Sequence, residues 1–156
     1  MSREAKAELI EAVIASFRAN SSHEAAFDAV AAQRLGLSLT DLRCLDVIEG
    51  RGGVTAGELA TASGLTTGAV TAVADRLERA GYARRVRDEH DRRKVNIEVT
   101  DLHYERSREI WGPLMADWQK QIGGAFSTED LATVIRFLDA TAALAERHTA
   151  RVRDLV

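Results

Sequence analysis

The chain has 156 residues, with 21 Lys and Arg against 24 Asp and Glu, a net charge of −3, and 46% hydrophobic but only 5% aromatic residues. This length supports one compact domain with its own core, and the single cysteine excludes an internal disulfide. One proline among abundant alanine and leucine favours a mainly helical protein. The apolar runs are too short to cross a bilayer and Met1-Ser2-Arg3-Glu4 opens no signal-peptide core, so the expected compartment is the cytoplasm.

From the N-terminus, Leu9, Ile10, Val13, Ile14 and Phe17 form the apolar stripe of a first helix. Thr40 is the expected cap of a second helix containing Leu42-Arg43-Cys44-Leu45, in which Cys44 packs as a small hydrophobe. Gly50-Arg51-Gly52-Gly53 is a turn and not a phosphate loop, since no lysine followed by a hydroxyl residue comes after it. Thr55-Ala56-Gly57-Glu58 then has the spacing of a capping box: the threonine oxygen accepts from the first turn and the glutamate reaches back. Gly64 suits the left-handed end of that short helix. Thr66 supplies the next N-cap, with Leu65 and Val70 spaced as a hydrophobic staple. Two capped starts so close together specify two helices joined by a tight turn.

The second of these helices has two faces. Val70, Val73, Ala74 and Leu77 repeat at three- and four-residue spacing and point inward. Thr67, Gly68, Thr71, Ala72 and Asp75 lie opposite, small and polar near the N-terminus, as entry into a groove about 12 Å wide requires. Gly68 costs about 1 kcal/mol of helix propensity relative to alanine, which suggests close approach to a partner. Gly81 ends the helix. Tyr82 to Arg87 forms one strand; Val95, Ile97 and Val99 alternate with Asn96 and Glu98 in another, and 88–93 is the loop between them. Between Asp75 and Lys94 stand eight basic and five acidic residues, a local +3 that leaves −6 for the remainder. Such asymmetry fits a polyanion partner, whereas a solvated face with internal ion pairs is the blander alternative.

Thr100 is the expected cap of the helix that follows. Ile110, Trp111, Leu114, Met115, Trp118 and Ile122 form one more stripe, Gly123-Gly124 a break, and Ser127 the cap of a last helix. That helix carries Leu131, Val134, Ile135, Leu138, Ala142 and Ala145 on one side. The outer helices have no layer of their own to cover, so pairing with a second copy accounts for their stripes. Ordinary intrachain core needs the same periodicity. His23, His90, His103 and His148 are scattered and build no metal or nucleophile motif, so no catalytic residue, metal ligand or cofactor is expected.

The run Leu65-Thr66-Thr67-Gly68-Ala69-Val70-Thr71, then Asp75-Arg76-Leu77-Glu78, Gly81-Tyr82 and Asp91-Arg92-Arg93, resembles the signature of the multiple-antibiotic-resistance regulator (MarR) family. The order and spacing of these blocks agree, and the flanking helices extend the likeness over essentially the full chain. The resemblance implies a mainly α fold with a small β-hairpin, a winged helix-turn-helix core (37–100) flanked by dimerisation helices (1–36 and 101–156). It further implies a homodimeric regulator, usually a repressor, that binds inverted-repeat double-stranded DNA and is released by a small phenolic, lipophilic or oxidising effector. Thr66, Thr67, Gly68 and Thr71 would meet the major groove, and Arg92, Arg93 and the adjacent Lys94 the minor groove or its rim. Arg76 and Asp91 would belong to the charged framework, with Arg76 counted among the DNA-facing residues. Ala72 departs from the longer polar or basic residue many members carry there, which puts direct base readout at this position in question. Phe17, His23, Trp111 and Trp118 are the candidate lining of an effector crevice. A winged helix docking an acidic protein partner is the alternative, and salt-sensitive binding to duplex DNA separates the two.

Overall fold

Hydroxyl caps set most of the helix boundaries. Ser2, Ser38, Thr55, Thr66 and Ser127 each adopt extended backbone, and each side chain accepts a hydrogen bond from the N–H three residues on. The computed structural model describes residues 2–87, 91 and 94–155. Its helices are α1 (Arg3–Leu35), α2 (Leu39–Gly50), α3 (Ala56–Ser63), α4 (Thr67–Arg79), α5 (Asp101–Asp117), α6 (Gly123–Ala125) and α7 (Thr128–Arg153). A π-helical turn, Trp118–Ile122, joins α5 to α6.

Two helix assignments differ from the sequence expectation. The cap of α2 is Ser38 and not Thr40, because Asp41 three residues on completes a reciprocal box with Ser38, leaving Thr40 inside the first turn. Gly123-Gly124 is not a break: both residues are helical, and the Gly123 N–H donates to Trp118 O across the π turn. The chain leaves the helix at Phe126 (φ −120, ψ 135), where the reciprocal box of Ser127 and Asp130 takes over. Thr55 with Glu58, Gly64 at φ 70, Thr66, and Thr100 accepting from the His103 N–H all stand as the sequence predicts.

The sheet has three antiparallel strands in the order β1 (Val54–Thr55), β3 (Val95–Val99), β2 (Ala83–Arg87). Ala83, Arg85 and Arg87 face Val99, Ile97 and Val95, and Val54 pairs with Ile97 from the other side. The hairpin strand starts one residue later than expected because the Tyr82 N–H donates to Leu77 O, closing the end of α4. Gly81 makes that closure possible at φ 80, where a Cβ would also meet Leu102 Cδ2 at 3.2 Å. Of the alternating residues in β3, Ile97 is buried, whereas Val95 next to the hairpin loop is exposed.

The chain forms two compact units, Met1–Ile110 and Trp111–Val156. In the first, Leu42, Leu45 and Ile48 of α2 meet Leu59 of α3 and Val70, Val73 and Leu77 of α4, all at most 2% exposed. α1 is buried only at its end, through Ala31, Ala32 and Leu35, while Leu9, Ile10, Val13, Ile14 and Phe17 stay exposed. In the second unit no described residue of α7 is buried, and Val134, Ile135 and Leu138 lie exposed on it. Truncating the centre of the first core, Leu77→Ala, is expected to cost about 3 kcal/mol, the middle of the range for buried leucines. Urea unfolding should show a lower midpoint at unchanged slope.

Candidate nucleic-acid interface

α4 presents its two faces as a sealed side and an open tip. Val70, Val73, Ala74 and Leu77 are at most 1% exposed, whereas Thr66, Thr67, Gly68, Thr71, Ala72 and Asp75 are exposed. Thr66 Oγ1 accepts the Ala69 N–H at 3.3 Å, so the cap is made by the residue that also stands at the exposed end. Thr71 Oγ1 donates to Thr67 O at 3.0 Å, so its hydroxyl proton is taken within the helix while the residue stays exposed. A Cβ on Gly68 would meet nothing within 4 Å, so the chain's own packing does not call for glycine there.

The tilt of α4 is held from beneath by one ion pair. Arg76 Nε lies 3.0 and 3.1 Å from the two carboxylate oxygens of Asp41, and Nη2 lies 2.6 Å from Oδ1. Asp41 is 3% exposed and also accepts from Ser38 Oγ at 2.7 Å. Burial alone would raise its pKa, but the hydrogen bonds from Arg76 and Ser38, with the nearby guanidinium charge, outweigh it and hold the carboxyl below its usual range. Arg76 is thus anchored inside the protein on one edge, with 42% of its side chain still accessible.

The basic segment is partly neutralised by its own acids. Arg85 bridges Asp75 at 2.7 Å and Glu78, and its backbone N–H donates to Glu78 Oε1 at 2.9 Å, which clamps β2 to α4. Arg84 pairs with Glu98 across the ladder at 3.3 Å. Arg79, Arg87 and Lys94 are exposed cations. Arg92 and Arg93, with Asp88, Glu89 and His90, lie outside the described residues.

The effector candidates are divided between the two units. Phe17 and His23 are on α1 in the first unit. In the second unit, Trp111 is on α5 and Trp118 on the π turn, where it lines a hollow of about 270 Å³ with Leu114, Asp117, Gln121 and Ile122. A polar cavity of about 320 Å³ in the first unit is lined instead by Arg34, Leu35, Tyr82, Arg106, Glu109 and Ile110. Cys44 is 1% exposed, and burial, with the Asp41 charge, pushes its thiol pKa up. Sequence reasoning missed two buried polar links. One is Asp41; the other is His103, 2% exposed, whose Nε2 lies 2.8 Å from Glu49 Oε2 and joins the start of α5 to the end of α2. Among the described residues no group of three or more His, Cys, Asp or Glu is placed to hold a metal ion, and no helix is long and apolar enough to cross a membrane.

The profile of the MarR family matches residues 35–94, the stretch from the end of α1 to the start of β3. A Bacillus subtilis protein, the uncharacterized HTH-type transcriptional regulator YcgE, is 34% identical over 152 residues, covering 97% of this chain and 98% of its own. The chain belongs to the MarR family. Its architecture is the MarR winged helix-turn-helix: a MarR family protein from Bacillus stearothermophilus superposes with a TM-score of 0.64 at 24% identity, covering 94% of this chain and 99% of its own. Streptococcus pneumoniae FabT, solved in complex with DNA, gives 0.58 at 25% identity over 85% of this chain and 98% of its own. In this MarR-family transcriptional regulator α3 and α4 are the helix-turn-helix and β2 with β3 the wing strands.

The Asp41–Arg76 pair makes stability depend on acid. A folded pKa below the ordinary 3.8 means the stabilisation is full above that value and disappears as pH falls through the folded pKa. Urea midpoints of the unaltered protein and Asp41→Asn should therefore differ at pH 6 and converge towards pH 2. Arg76→Ala, which strands a buried carboxylate, should cost about 2 kcal/mol at pH 7, less than a wholly buried pair because water reaches the arginine.

Proposed function

We propose that this regulator is a cytoplasmic homodimer that represses transcription by binding an inverted-repeat operator. The observation that carries the reading is the exposed, N-capped, small-polar end of α4 on a helix whose other face is sealed in the core. Thr67, Gly68 and Thr71 meet base edges and the thymine methyl in the major groove, and Thr66 sits at the backbone. Arg92, Arg93 and Lys94 of the wing reach the neighbouring minor groove or its phosphates. Arg76 acts mainly by holding α4 on Asp41, with its accessible edge left for a phosphate. FabT, a relative at 25% identity, was solved on DNA, which supports the same ligand here.

Dimerisation rests on the outer helices. Isoleucine, leucine and phenylalanine side chains about half exposed along a 33-residue helix are what a chain leaves for a second copy. The organisation is then an N-terminal dimerisation region (1–36), a DNA-reading core (37–100) and C-terminal dimerisation helices (101–156). Two recognition helices related by a two-fold axis read half-sites about 34 Å apart. A small phenolic or lipophilic effector releases the operator by binding one arrangement of the dimer better than the other. In the polar cavity Arg106 is paired with Glu109 and the Tyr82 hydroxyl donates to Leu35 O, so Arg34 is the lining cation that forms no ion pair among the described residues.

Selection from random duplexes followed by fluorescence anisotropy tests this reading. The expected outcome is a palindromic site bound by two chains, with affinity falling steeply as salt rises. Thr71→Ala should change the selected sequence more than the affinity for random DNA. Arg92→Ala should weaken binding at least tenfold while Arg151→Ala leaves it unchanged. No duplex binding at low salt would refute the function, and equal effects of the two arginine variants would refute the wing assignment.

A further inference from the structure

A further concavity lies between α2, α3 and the turn that leads into α4. It has a volume of about 290 Å³ and is walled by Thr40, Arg43, Cys44 and Val47 of α2, Ala62 and Ser63 of α3, and Leu65 of the turn. Its floor is closed: Cys44 is buried, and Ser63 Oγ donates to Leu59 O at 2.6 Å. Its rim is open and polar. Thr40 is exposed, and its hydroxyl makes no hydrogen bond among the described residues. Arg43 is exposed and forms no ion pair among them, unlike Arg76, Arg84 and Arg85, each of which meets a carboxylate.

Leu65 immediately precedes Thr66 and Thr67, and consecutive Cα atoms are about 3.8 Å apart. The rim of this groove therefore lies within a few residue lengths of the tip that enters the major groove. A duplex carries a phosphate about every 3.4 Å of axis on each strand, so a helix seated in the groove has phosphates close to its N-terminal end. We propose that the α2–α3 groove is a phosphate seat for the bound duplex, in which the Arg43 guanidinium and the Thr40 hydroxyl hold the DNA backbone beside the start of α4. The proposal rests on the DNA-binding reading above and adds a contact outside both α4 and the wing.

One exposed arginine and a hydroxyl hold a free anion in water only weakly. A phosphate already delivered by the seating of α4 is held at high effective concentration, so the same pair then contributes fully. The contact carries no base information, which sets its signature apart from that of the threonines: affinity falls alike on every sequence, and the salt dependence becomes shallower.

The test measures binding of the full-length protein to its selected site and to random duplex from 50 to 300 mM salt, for the unaltered protein and for Arg43→Ala, Arg43→Lys and Arg151→Ala. Arg43→Ala should lose affinity by a similar factor on both duplexes. It should also reduce the slope of log K against log salt by about 0.9 for each chain bound. Arg43→Lys, which keeps the charge, should restore the slope, and Arg151→Ala should change neither. Circular dichroism and unfolding midpoints of the variants should match the unaltered protein. If the unaltered protein binds but Arg43→Ala leaves the slope intact, the seat is overturned and the DNA reading stands. If the unaltered protein binds no duplex, both fall. Saturation of the Arg43 side-chain resonances by millimolar inorganic phosphate alone would make the groove a free-anion site and overturn the proposal as well.

Discussion

Arg76 and Asp41 fix the helix on which the proposed DNA-facing surface is built. α4 has to be rigid in direction while leaving its first turn bare, so it cannot be held by contacts at that end. The core grips it through Val70, Val73, Ala74 and Leu77, and the guanidinium–carboxylate pair fixes its far half against α2. Apolar contacts tolerate small rotations and slides, whereas three short hydrogen bonds between planar groups tolerate few. Removing a carboxylate from water is expensive, and the net stability of such a pair is modest. Its contribution here is orientation, secured by the Ser38 hydroxyl, which accepts the N–H of Asp41 while donating to its carboxylate.

The same economy of charge runs through the surface. The basic stretch after α4 does not present a uniform positive field, because Asp75 and Glu78 together hold Arg85 and Glu98 pairs with Arg84. Arg85 is structural in effect, tying the first wing strand to the recognition helix. Between Asp75 and Lys94 the exposed described cations that form no ion pair among the described residues are Arg79, Arg87 and Lys94. Pairing of this kind trims the local excess of positive charge that the segment offers a polyanion to those positions.

What could be read from the sequence follows the range of each interaction. Thr55 with Glu58 and Thr66 with Ala69 are bonds between residues three apart, so the letters alone disclosed them. The inward stripe of α4 was legible for the same reason. Asp41 and Arg76 are 35 positions apart, and no local pattern links them; the nearest signal was a serine three residues before an aspartate, which also marks the true start of α2. Thr40 looked equally suitable as a cap, but no acid at the right distance answers it. β1 escaped notice because two residues show no alternation and its partner lies in β3. Gly123 and Gly124 misled because glycine is only a weak helix breaker, while the extended Phe126 and the Ser127 box decide where the helix ends. The wing arginines lie in the stretch from 88 to 93, most of it outside the described residues, so that part of the interface rests on the sequence.

Gly68 has a consequence for how variants of this protein would sort. Nothing in the fold crowds it, and alanine would favour the helix by up to about 1 kcal/mol. A screen that rewards only solubility or heat resistance would accordingly drift towards a side chain there, while on the proposed DNA reading one that rewards operator binding would keep the backbone naked. On that reading the position separates two selective pressures that at most residues pull together, and the stability forgone is the measure of what binding asks of the fold.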